Sequence, residues 1–66
     1  MNSEEIEVND WYVCRSELFE YEFIGQASQK LVNACIVEIT HCEQIDQAQS
    51  EEYLNRVVVS YRHMSN

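Results

Sequence analysis

Cys14, Cys35, Cys42, His41 and His63 are the only soft metal-ligand side chains in this 66-residue chain. Their spacing contains no C-x₂-C and no H-x₃-H, so it does not describe a zinc site, and surface imidazoles with core thiols are the expected reading. A Cys–His nucleophile pair needs an activated thiolate in a pocket, and a small single-layer domain has little room for one. Glu20 with Glu22, or Glu51 with Glu52, could be called carboxylate pairs. On an open face nothing raises one carboxyl into the range that acid–base catalysis uses. There is no Gly-rich phosphate loop. The expectation is a protein that is not an enzyme and carries no cofactor and no metal.

The elements that would position these residues are read from periodicity. Leu31, Val32, Cys35, Ile36, Ile39 and Cys42 fall on one stripe at about 100° per residue. That predicts a helix over Ser28–Cys42, capped by Ser28. Tyr12 and Cys14 alternate with Trp11 and Val13, predicting a strand over Glu7–Cys14 with a bend or late start near Asn9-Asp10. Leu18–Ile24 reads as a second strand, with Phe19, Tyr21 and Phe23 on one face and Glu20 and Glu22 on the other. Gly25 would end it. The three valines Val57–Val59 favour a strand over Asn55–Arg62, because β-branched side chains lose rotamer freedom in a helix. A helical stripe through Leu54, Val57, Val58, Tyr61 and Met64 is the competing assignment.

The fold class that follows is α+β. It is a single domain over residues 1–66, with residues 1–4 as a loose end. Its ββαβ order makes a three-stranded antiparallel sheet with one helix packed on one face. An all-β alternative reads Val32–Glu43 as a strand in a long hairpin with residues 53–62. In the three-stranded arrangement Tyr12 would lie on the sheet face that the helix leaves open, with Leu18, Ile24 and Val58.

A chain of this length buries only about 60% of its unfolded surface, so a homodimer is one expected state. Its apolar content of 45% suits a folded domain rather than a disordered tail. Three cysteines do not make a disulfide framework, and on a helix Cys35 and Cys42 would stand about 10 Å apart. A reducing, cytoplasmic setting is expected. Nothing in the first 25 residues resembles a signal peptide, and no apolar run approaches the roughly 20 residues of a membrane span.

Twelve acids against four bases leave a net charge of −8. Residues 1–22 hold seven of those acids and a single base. This balance disfavours direct contact with nucleic acid or anionic membrane and favours a basic protein or nucleoprotein partner. On strands, Glu5 with Glu7 and Glu20 with Glu22 would present carboxylates roughly 6.7 Å apart, a step comparable to successive phosphates. The expected partner-binding set is Glu5, Glu7, Asp10, Tyr12, Glu17, Glu20 and Glu22, with Tyr12 as apolar anchor.

In size, acidity and element order the chain resembles small phage-encoded inhibitors of host or defence machinery, among them anti-CRISPR proteins and inhibitors of host RNA polymerase. The resemblance implies a non-enzymatic inhibitor in the host cytoplasm that blocks nucleic-acid access by charge mimicry. The alternative is a structural or assembly subunit making homotypic or phage-particle contacts.

Overall fold

Phe23–Lys30 (β2) is the central strand of a five-stranded antiparallel sheet. Trp11–Cys14 (β1) pairs along one side of it and Ala34–His41 (β3) along the other. Arg56–Ser60 (β4) pairs with β3, and the short Met64–Ser65 (β5) pairs with β1. One short helix, Gln47–Glu52 (α1), lies in the β3–β4 connection. Single 3₁₀ turns occupy Ser3–Glu5, Gln44–Asp46 and Tyr61–His63. This computed structural model describes all of Met1–Asn66.

The architecture is α+β with five strands and one short helix, in place of the expected three strands and packed helix. The segment Ser28–Cys42 is not helical: it contains the end of β2, a tight turn at Leu31–Asn33 and β3. The reason lies in Val37, which a helix would have placed away from the apolar stripe. As a strand, the segment buries both Cys35 and Val37 completely. Ile36, Val37, Ile39 and Thr40 are also β-branched, and a sheet costs them less rotamer freedom. Cys35 and Val37 pair with Val59 and Val57, so the alternative hairpin is the one that forms. β4 itself lies inside the strand expected over Asn55–Arg62.

The sheet must curl. Only Tyr61–His63 separates β4 at one edge from β5 at the other. Extended chain from Ser60 to Met64 spans at most about 14 Å, whereas the edges of a flat five-stranded sheet stand about 19 Å apart. Curling wraps the inner face around one core, which includes Tyr12, Cys14, Phe23, Ala27, Val37 and Val59. Ile6, Phe19 and Tyr61 close that core from the connecting segments, and Met64 closes it from β5. The amine of Met1 donates to the carbonyls of Tyr61 (2.8 Å) and Met64 (3.2 Å), tying the opening residues to the crossing between the edges.

Three local departures from simple alternation shape the surface. β1 starts late, at Trp11, after Asn9 turns the chain with φ 76°. Residues 18–22 are not a strand: Phe19 and Phe23 are both buried, their rings 5.1 Å apart, while Tyr21 between them is 58% exposed. Gly25 does not end a strand but lies inside β2, where Val37 leaves it no room for a side chain.

Candidate binding groove

The outer face of the sheet is built in rows across the strands, because paired residues on neighbouring strands share a face. Val13, Ile24 and His41 form one row. Trp11, Gln26, Glu38 and Arg56 form the next, and Ile36 with Val58 lies beyond. Arg56 and Glu38 make an ion pair of 2.8 Å. A register shift between Ile24 and Gly25 sets His41 rather than Thr40 opposite Ile24, and the Thr40 hydroxyl donates to the Ile24 carbonyl at 3.2 Å. Such irregularities re-aim side chains at a sheet margin.

The Val13–Ile24–His41 row opens into a groove of about 390 Å³ whose other walls are Tyr21, Glu22, Phe23 and Glu43. Tyr21 also borders a neighbouring hollow with Glu43, Gln44 and Ile45. Asp46 fixes this wall. Its carboxylate is 3% exposed and accepts the backbone N–H groups of Glu20 (2.9 Å) and Tyr21 (3.0 Å). Two charge-assisted bonds to one buried carboxylate hold the β1–β2 loop against the Gln44–Asp46 turn. They also consume the N–H groups a strand would have used, which explains why residues 18–22 do not extend β2.

The expected partner-binding residues are dispersed. Tyr12 is not on an open face: it is 4% exposed in the core, and its hydroxyl accepts the Glu7 N–H at 2.8 Å. The helix expected over the other face does not exist, and the Tyr12–Cys14 parity points inward, so Tyr12 cannot anchor a partner. Trp11 is the exposed aromatic of that pair, at 54%. Glu5 ends a 3₁₀ turn and accepts the Asn2 N–H at 2.7 Å. Asp10 accepts the N–H of Trp11 at 3.2 Å. Glu7, Glu17, Glu20 and Glu22 are exposed, but none lies on a strand. The ladder of carboxylates at phosphate-like steps is therefore absent. Of the set, only Glu22 lines the groove, with Glu20 on the other side of Tyr21 in sequence.

Sequence reasoning missed Tyr21, His41 and Glu43, reading Tyr21 as one of three aromatics on a single strand face and His41 as a surface imidazole. The alternation Glu20-Tyr21-Glu22, an aromatic between two acids, was the available signal.

A second hollow, beside α1, holds His41 and Cys42 with Ser50, Glu51 and Asn55. Burial pushes the Cys42 thiol up, and the nearby carboxylate of Asp46 pushes it further, with Glu43 and Glu51 adding to the effect. That is the reverse of what activates a thiolate nucleophile. Ser50 is engaged with Asn55, its hydroxyl donating to the side-chain carbonyl at 2.6 Å. No three side chains among His, Cys, Asp and Glu converge where they could hold one ion, and no helix is long and apolar enough to cross a membrane. No protein-family model, curated protein or solved structure matches the chain.

Proposed function

We propose that this protein is a non-enzymatic inhibitor. It binds a basic surface of a nucleic-acid-handling complex and obstructs nucleic-acid access by charge. One observation carries the reading. Of the twelve acids, Glu38 is paired with Arg56 and Asp46 is buried, and the other ten are exposed without a cation partner. Unpaired carboxylates on a small body create a strong negative field that steers and holds a basic partner. The charge is distributed over loops, turns and the end of α1, so it matches a basic surface as a field rather than as a phosphate ladder.

The test is capture from nuclease-treated bacterial lysate on the tagged protein, followed by a rising salt wash. A nucleic-acid-binding complex should be retained and released by salt, and its own nucleic-acid binding should fall when the protein is added. Reversing Glu20 and Glu22 to lysine should weaken the capture. Retention unchanged by that double reversal, or a captured complex whose nucleic-acid binding is unaffected, counts against the proposal.

The exposed apolar side chains of the outer face favour the second reading, an assembly subunit: Trp11 is 54% and Val58 58% exposed. A defined oligomer in sedimentation that dissociates on Trp11→Lys or Val58→Lys would establish it. A monomer throughout would remove it.

A further inference from the structure

We propose that the groove beside Tyr21 receives an arginine side chain of the partner, carried in a segment with an apolar neighbour. The proposal rests on the reading above that the partner is basic, and it names where and how one of its cations is held. Val13 and Ile24 supply an apolar floor, Tyr21 an aromatic wall, and Glu22 and Glu43 two carboxylates, with Phe23 and the His41 imidazole completing the lining. That combination asks for a cation with apolar flanks. None of the chain's own four cations lines the groove. Arg56 is committed to Glu38, and the Lys30 ammonium donates to the Ile6 carbonyl at 3.0 Å. Arg15 and Arg62 border other hollows. The charge of the two carboxylates is thus left for a partner to neutralise.

Arginine fits better than lysine. Its planar guanidinium can lie on the Tyr21 ring while its fork of N–H donors meets a carboxylate, and it is more weakly hydrated than an ammonium. The backbone that carries this wall is fixed in place, because Asp46 accepts the Tyr21 N–H. A preorganised backbone reduces the entropy lost on binding. Ile45, 68% exposed on the far side of Tyr21, offers the surface for the apolar neighbour.

The experiment is a ¹⁵N-HSQC titration of the full chain with a blocked peptide, Gly-Leu-Arg-Leu-Gly, at millimolar concentration, with the lysine and glutamine versions as comparisons. The arginine peptide should shift the amides of Val13, Tyr21, Ile24 and His41, and the glutamine peptide should not. Tyr21→Ser should weaken the arginine peptide about threefold. Glu22→Gln with Glu43→Gln should weaken it about fivefold and flatten its salt dependence. Glu51→Gln with Glu52→Gln removes the same charge elsewhere and should leave affinity unchanged. Both Tyr21 and the altered acids are exposed, and the dispersion of each variant's spectrum reports that it is folded.

Absence of groove shifts, or an equal loss in the Glu51/Glu52 control, overturns the groove proposal and leaves the basic-partner reading standing on the lysate capture. Groove binding with no nucleic-acid-handling complex captured sinks the proposed function while the arginine site survives.

Discussion

Gly25 sits where an added Cβ would stand 3.1 Å from the Cβ of Val37 and 3.5 Å from the Cys14 sulfur. The Val37 Cβ belongs to a fully buried strand residue and has little freedom to move. Gly25→Ala gains about 0.4–1 kcal/mol by restricting the unfolded chain, but overpacking a filled core costs about 1–3 kcal/mol. A net loss on the order of 1 kcal/mol is expected in urea unfolding. Cys14 makes a prediction about pH. Burial first, and the nearby Cys35 second, push its thiol from 9.0 up to about 12. The folded thiol therefore keeps its proton across a range in which the unfolded thiol loses it. Stability should be unaffected by this group below pH 9.0 and should fall between there and about 12. The slope from one proton is at most about 1.4 kcal/mol per pH unit. Unfolding midpoints of the wild type and Cys14→Ala across that range check it: the variant should lose less stability with rising pH.

Among the elements, the β1–β2 loop depends on a residue far from it in sequence. Asp46→Ala would leave the N–H groups of Glu20 and Tyr21 without their acceptor, and hydrogen bonds to a charged group contribute about 1.5–3 kcal/mol. We expect a loss of about 2–3 kcal/mol in denaturant unfolding. Amide exchange should accelerate most at Glu20 and Tyr21, and the arginine peptide should bind more weakly because its wall has loosened. Exchange that speeds up evenly along the chain would mean that Asp46 supports the whole fold rather than this loop. Element identity was partly legible. The valine run of β4 and the late start of β1 could be read from β-branching and from Asn9-Asp10. β3 could not be read from its apolar stripe, because the cysteines and isoleucines at these positions satisfy a helical period, and Val37 alone stands outside it. The Val57–Val59 partner decided for the strand.

For the molecule as a whole, ten exposed carboxylates without partners repel one another, and a single ion pair stands to be weakened by salt. Raising NaCl from about 10 mM to about 0.5 M shortens the screening length several-fold. The melting temperature should therefore rise, and a falling one would mean that attractive pairs dominate. The sequence by itself determined the acidic field, the lack of metal-ligand spacing and the inward parity of Val57 and Val59, because these depend on composition and on short-range periodicity. Only the tertiary structure decided that Tyr12 is core and Trp11 surface, that Asp46 captures the β1–β2 loop, and that Tyr21, His41 and Glu43 line one groove. The physical reason is sheet closure. Three residues bridge the two edges, and the curl this forces chooses which parity of each strand faces inward, joining residues whose separation in sequence carries no periodic signal.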